Sequence, residues 1–234
     1  MGLNGADTNA GGGGTQAREV GAADSDLTAS NIYPMKKLPH ITPLMLTRQR
    51  KPFDHPDWIF ELKHDGFRGV AYIADGKCKL VSRRDNVFRR FNPLCESLGK
   101  LRVKNMILDG EIVCLDDNGT SIFNQLLFRH GVQYFYAFDL VWLNGRDLRS
   151  LPLLERKERL RKLIIKANNS ALLYADHVDQ YGIDFFRMIC EKNLEGIVAK
   201  HRASRYDARA KWIKIKNPAY TQSERRHELF ETFK

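Results

Sequence analysis

The chain has 234 residues, 43% of them hydrophobic and 28% charged, with a formal net charge of +10 and a pI near 9.5. That is the profile of a soluble globular protein of one sizeable domain or two small ones, and its basic excess predicts attraction to polyanions such as nucleic acid. Four scattered cysteines with no C-x-x-C pair exclude a zinc site and point to reduced thiols in a cytoplasmic setting, while the greasiest stretch, 134–143, is too short and too interrupted by Asp139 to span a membrane.

Residues 1–33 hold a glycine run at 11–14 and hardly any apolar side chain, with Arg18 alone against Asp7, Glu19, Asp24 and Asp26. The expectation is a disordered tail with no signal peptide, so the positive charge belongs to the remainder. Residues 35–50, with Lys36, Lys37, Pro39, Pro43 and Arg48, read as an extended arm packed on the domain. Strands are expected over 57–62, 68–74 and 77–82, the last two joined by an Asp75-Gly76 hairpin. Helical spacing over 91–103 places Leu94, Leu98 and Leu101 on one face. A strand over 106–115 follows, then a turn at 116–119 and a short helix over 121–130 capped by Thr120 or Ser121. An aromatic strand over 133–143 ends in Asn144-Gly145. Residues 153–167 form an amphipathic helix whose alternating Glu155, Arg156, Lys157, Glu158 and Arg159 mark a solvated face. A strand over 171–175, a helix over 183–193, strands over 195–201 and 211–215 and a short amphipathic helix over 222–230 complete the chain. Hairpins outnumber β-α-β crossovers, which gives an α+β fold of antiparallel sheets flanked by helices.

Candidate chemistry begins at Glu61-Leu62-Lys63-His64-Asp65-Gly66-Phe67-Arg68. An amine such as that of Lys63 becomes a nucleophile when neighbouring cations or desolvation lower its pKa, and Arg68 offers a fixed fork for a phosphate or sugar hydroxyl. The same residues also fit an Asp-Gly hairpin turn with solvated charges. Four further polar clusters interrupt apolar strands: Ser82-Arg83-Arg84-Asp85, Asp109-Gly110-Glu111, Glu195 at the head of 196–200, and Lys214 with Lys216 in 212–216. Alternation places Asp109 and Glu111 on one face, and Lys214 and Lys216 opposite Ile213 and Ile215. Joined at one cleft, Lys214 and Lys216 would hold phosphate charge and disfavour protonation of Lys63, Glu195 and Glu111 would ligate Mg²⁺, and Phe138 would stack on a purine. Separately, the two lysines read as edge-strand protection, Phe138 as core and Asp139 as a satisfied structural carboxylate. The seven histidines show no metal-binding spacing.

Taken together and in order, Lys63-His64-Asp65-Gly66-Phe67-Arg68, Ser82-Arg83, Asp109-Gly110-Glu111, Phe138-Asp139-Leu140, Glu195 to Lys200 and Trp212 to Lys216 resemble the motifs of the covalent nucleotidyltransferases. The resemblance is to ATP-dependent DNA ligases, above all the ligase domain of the bacterial end-joining type. It implies a nucleotidyltransferase (adenylation) fold over 34–216, ATP as substrate, Mg²⁺ or Mn²⁺, and nicked or broken double-stranded DNA as partner. By the same resemblance Lys63 carries AMP, Glu61 lies beside the adenine with Phe138 stacked on it, and Arg68 and Glu111 contact the ribose. Arg83 faces the nucleotide phosphate or the nick 5′-phosphate, Glu195 (with Glu111) binds the metal, and Lys214 and Lys216 hold the α-phosphate. The family pattern continues into an OB-fold, whereas 217–234 is a short extension of 18 residues. Three expectations follow: a protein partner supplies the OB-fold function, the protein acts inefficiently without it, or it keeps only part of the pathway. Rival readings are a non-catalytic module that binds adenylate or DNA ends, and an RNA ligase or capping-type enzyme.

Overall fold

The computed structural model describes residues 38–128 and 130–221. The tail over 1–33, Lys36 and Lys37, and the helix expected over 222–230 lie outside them. In chain order the elements are β1 (Thr47–Gln49), β2 (Trp58–Leu62), β3 (Phe67–Ala74), β4 (Lys77–Ser82), α1 (Asn92–Gly99), β5 (Asn105–Cys114), α2 (Phe123–Leu127), β6 (Gln133–Leu143), β7 (Arg146–Asp147), α3 (Leu153–Ala167), β8 (Leu172–Tyr174), β9 (His177–Asp179), α4 (Gly182–Glu191), β10 (Gly196–His201) and β11 (Trp212–Lys216). They build two sheets. One runs β1-β11-β10-β2-β9; the other runs β4-β3-β5-β6-β7, with β8 paired to β6. Antiparallel pairing dominates as expected, with two parallel exceptions, β1 on β11 and β8 on β6. No helix among the described residues is long and apolar enough to cross a membrane.

Period-2 alternation turns these strands into layers. Ile59, Val70, Ile107, Val141 and Trp212 fill one cluster between the two sheets. Their sequence neighbours Phe60, Ala71, Leu108 and Leu140 face the other way, Phe60 toward α4 beside Ile189 and the rest toward the side covered by α1 and α3. The central strands are thus buried on both faces, which is why they read as nearly unbroken apolar runs. Asp75-Gly76 and Asn144-Gly145 make their turns with φ of 51° and 75°, and of 49° and 86°. Both residues of each pair are left-handed, the geometry that suits a two-residue hairpin.

Several expectations are corrected. The first helix ends at Gly99 rather than 103, although Leu94, Leu98 and Leu101 are buried as foreseen. Neither Thr120 nor Ser121 caps α2: Ser121 is drawn into a β-bridge with Leu115, the Thr120 N–H donates to Asp116, and Ile122 takes the N-cap position without a side-chain bond. β9 was not foreseen, and the extended arm contributes a short strand, β1, paired with β11. Because β1 pairs with β11 over Ile213 to Ile215, Lys214 does not sit on a sheet edge, while Lys216 lies just past that pairing. The helix α3 is not solvated where its charges alternate: Arg156 and Lys157 are completely buried.

Candidate active site

The inter-sheet layer changes character along its length. At one end it is apolar; at the other the same strand faces present Glu61, Arg68, Glu111, Val198, Lys200, Lys214 and Lys216 to a cleft of about 840 Å³. All nine residues singled out from the sequence line this cleft: Lys63, Glu61, Arg68, Arg83, Glu111, Phe138, Glu195, Lys214 and Lys216. Phe138 arrives there through irregular pairing. β6 has one residue too many opposite Asp109-Gly110 and another opposite Ile107-Leu108, so Phe138 and Val141 are bulged and both pack on the inter-sheet cluster.

The stretch 63–66 is not a hairpin turn, since β2 and β3 belong to different sheets. Gly66 is needed for closeness: a Cβ there would stand 2.1 Å from the Ile112 carbonyl oxygen. The crossover leaves the Lys63 amine at the cleft, donating to Glu195 Oε2 at 2.6 Å, while Glu195 Oε1 holds Lys216 Nζ at 3.2 Å. Glu195 is itself buried. Gly196 beside it has φ 142° and would drive a Cβ to 2.2 Å from the Ile215 carbonyl oxygen, so only glycine lets Glu195 sit against β11. His64 stacks on Tyr136 with ring centroids 3.8 Å apart. Burial holds its pKa down at about 4.

Arg68 is fully engaged within the protein. Nε and Nη2 donate to both oxygens of Asp109 (3.1 and 2.7 Å), Nη1 donates to the Leu44 carbonyl, and the guanidinium lies over the Phe138 and Trp212 rings. Tyr206 adds a 2.6 Å hydrogen bond to Asp109. Burial opposes the Arg68 charge, but Asp109 prevails and raises its pKa. Burial pushes Glu111 up to about 8, against Lys63 and Arg68, which favour its ionised form. Lys214 is held below the ordinary lysine range by partial burial and by Lys216, Lys63, Arg83 and Arg48. Such a crowd of cations in one wall is a site prepared for an anion.

Glu61 is held on both of its carboxylate oxygens. Lys157 donates to its Oε1 and Lys200 to its Oε2, each at 2.6 Å, and all three groups are buried. The two lysines outweigh burial and lower the pKa of Glu61. One carboxylate cannot neutralise two ammonium groups, and burial brings Lys200 down to about 8. Lys200 also lies 4.3 Å from the Phe138 ring centre and 3.9 Å from that of Trp212. Sequence reasoning missed Lys157, yet a signal was present: Leu153, Arg156, Lys157 and Leu160 stand at i, i+3, i+4 and i+7, the spacing of a buried stripe. Asp139, in contrast, is the satisfied carboxylate foreseen, held by Arg156 through two bonds of 2.8 Å. Tyr206 and Tyr220, which reach Asp109 and Asp65, carried no local signal.

This two-sheet α+β architecture is that of the nucleotidyltransferase domains of ATP-dependent ligases. A mycobacterial DNA ligase D complexed with ATP and MES superposes with a TM-score of 0.63 at 29% identity, covering 75% of this chain and 60% of that one. The family described as ATP dependent DNA ligase domain matches residues 45–216, and the chain belongs to it. Among its relatives, the multifunctional non-homologous end joining protein LigD of Pseudomonas aeruginosa is 33% identical over 168 residues, 68% of this chain and 20% of that protein. The SPbeta prophage-derived DNA ligase-like protein LigB of Bacillus subtilis is 30% identical over 194 residues, 78% of this chain and 69% of that protein. The chain thus spans a fifth of the LigD relative's length and about two thirds of LigB's.

Proposed function

We propose that the chain is a working adenylation domain that charges Lys63 with AMP from ATP, passes the AMP to a DNA 5′-phosphate and seals a nick or break in double-stranded DNA. The reading is carried by one observation: all nine expected residues converge on one cleft, with the Lys63 amine at its wall and cations opposite. In the first step the Lys63 nitrogen forms a bond to the α-phosphorus while the bond to the pyrophosphate oxygen breaks. The amine must first shed its ammonium proton, and Glu195 Oε2 at 2.6 Å stands ready to accept it. Lys214, Lys216 and Arg83 neutralise the phosphate, and Phe138 and Val198 line the space for the base. In the second step the 5′-phosphate oxygen displaces the lysine nitrogen; in the third a 3′-hydroxyl displaces AMP.

Mg²⁺ or Mn²⁺ fits the donor chemistry. Glu195 and Glu111 are hard oxygen donors whose mutual charge helps keep Glu111 protonated. Among the described residues no cluster of three metal-type ligands exists, which suits a cation that keeps water and phosphate oxygens as its other ligands. When bound, the cation supplies charge neutralisation at the transferring phosphate. Glu195 and Glu111 would hold it.

Intact-mass analysis after incubation with ATP and Mg²⁺ tests the reading. The expected result is one AMP on the wild type and none on Lys63→Ala. A wild type that stays unmodified overturns it. Sealing of nicked DNA beside nicked RNA then separates DNA ligation from RNA ligation.

A further inference from the structure

The sheet β4-β3-β5-β6-β7 gathers charge at the end away from the cleft, where three loops are tied together. Gly99 packs on the β3–β4 turn so closely that a Cβ would stand 2.7 Å from the Gly76 carbonyl oxygen. Asn105, opposite Ala74 in the ladder, accepts the Asn144 N–H on its carbonyl (2.8 Å) and the Gly145 N–H on its side-chain oxygen (2.9 Å). The Asn144 side chain in turn accepts the Lys104 N–H at 2.9 Å. Lys100, Arg102, Lys104 and Arg146 stand on these loops. All four side chains are exposed, and none has an ion pair or a hydrogen bond among the described residues. Lys77 and Lys79 on β4 add two further cations. Of the acids close in sequence, Asp147 is taken up by Arg149 at 2.6 Å, which leaves Asp75 and Glu96. Arg68 and Ala74 mark the cleft end and the turn end of β3, about 20 Å apart at the rise of a strand.

We propose that this turn end is a second DNA surface, on which Lys100, Arg102, Lys104 and Arg146 take phosphates of a duplex away from the cleft. The choice of DNA rests on the reading above; the polyanion surface does not. Cations without partners give up no ion pair when a phosphate arrives, and each phosphate neutralised releases counterions. The hydrogen-bonded loops hold the four backbone positions in place, which limits the ordering cost to the side chains. Bases are not read here. Trp142, the aromatic ring of these turns, is half-buried and donates its indole N–H to Asn105 at 2.7 Å, so it is not offered as the stacking platform that a single strand uses. A duplex keeps its bases inside and presents its phosphates, which is what this surface can hold.

The full chain is titrated onto an intact labelled duplex by fluorescence anisotropy at a series of KCl concentrations. The combined variant Lys100→Ala, Arg102→Ala, Lys104→Ala and Arg146→Ala should make the slope of log affinity against log salt shallower by about three and weaken binding at low salt by about tenfold. Exchanging lysine and arginine at the same four positions keeps the charge and should keep the wild-type slope. Arg159→Ala, Arg161→Ala and Lys166→Ala together remove exposed cations from α3 and should change the slope by less than about one. An unchanged slope in the combined variant overturns the proposal. So does an equal change per charge in the α3 variant, which would make net charge the cause, and so does a loss seen with single-stranded DNA but not with the duplex. Lys63-AMP formation in the combined variant should keep the wild-type rate; a fall would overturn the separation of this surface from the cleft. A wild type that binds the duplex through these residues yet never forms the adduct keeps the surface and overturns the ligase reading instead.

Discussion

Glu195 holds Lys63 and Lys216 at once, at 2.6 and 3.2 Å, so the amine proposed as the nucleophile shares its carboxylate with a second cation. Lys214 is the cation left to meet an anion: it lines the cleft without an ion pair to Glu195, and its neighbours already oppose its charge. Lys214→Ala is therefore expected to slow Lys63-AMP formation by about ten- to a hundredfold, with a melting temperature close to wild type because the side chain is partly exposed. Quench-flow adduct formation and a thermal melt check both halves; normal adduct formation with a large drop in melting temperature would make Lys214 structural. His64 gives a pH signature at the same loop. Its folded pKa of about 4 lies below the ordinary value of 6.5. Between these values the unfolded chain binds a proton that the folded chain does not, so stability is full above pH 6.5 and is lost as pH falls toward 4. The contribution is on the order of 2–3 kcal/mol. Urea midpoints of wild type and His64→Phe, compared at pH 4.5 and 7.5, should show the wild type losing this stability on acidification while His64→Phe keeps it.

The element that departs most from its sequence is α3. Charge alternation implied a wet face, whereas the buried stripe runs Leu153, Arg156, Lys157, Leu160. Local sequence could not arbitrate, because the partners that make burial tolerable, Asp139 on β6 and Glu61 on β2, come from distant strands of two different sheets. Strands and hairpins were more legible: Lys77–Ser82, Gln133–Leu143 and α3 itself have the ends their patterns gave, since alternation, Asp-Gly and Asn-Gly are local signals. β9 and the bulges of β6 were not, being set by pairing. The Glu61 cluster leads to an ordering of stabilities. Glu61→Gln leaves two buried ammonium groups without their carboxylate and should cost more than about 3 kcal/mol. Lys157→Met leaves one carboxylate with one ammonium and should cost on the order of 1–2 kcal/mol, mainly its hydrogen bonds. Denaturant melts at pH 7 decide, and equal losses would mean the cluster is not short of negative charge.

At the scale of the molecule, the two sheets enclose a layer that is core at one end and cleft at the other, and this is what carried the site beyond sequence reading. Each motif was legible singly; that all of them border one cavity follows only from two sheets facing each other, with β2 and β3 crossing between them at Lys63. The same arrangement collects Arg48, Arg83, Lys63, Lys214 and Lys216 within electrostatic reach of one another, on a chain of net charge +10. A polyphosphate laid over this mouth releases counterions, so its affinity should fall linearly in log salt, with a slope of about −0.9 per duplex phosphate neutralised. Arg83 is an exposed member of the group at the rim, as is Lys216. Arg83→Ala should weaken binding of a nicked duplex uniformly across sequences and make the salt slope shallower by about one. The neighbouring turn stays held in that variant by Ser82, whose hydroxyl accepts the Arg84 and Asn86 N–H groups. Fluorescence anisotropy of a labelled nicked duplex at a series of KCl concentrations gives both slopes. Parallel lines for wild type and Arg83→Ala would remove Arg83 from the DNA contact, and a flat line for the wild type would remove this face from DNA binding altogether.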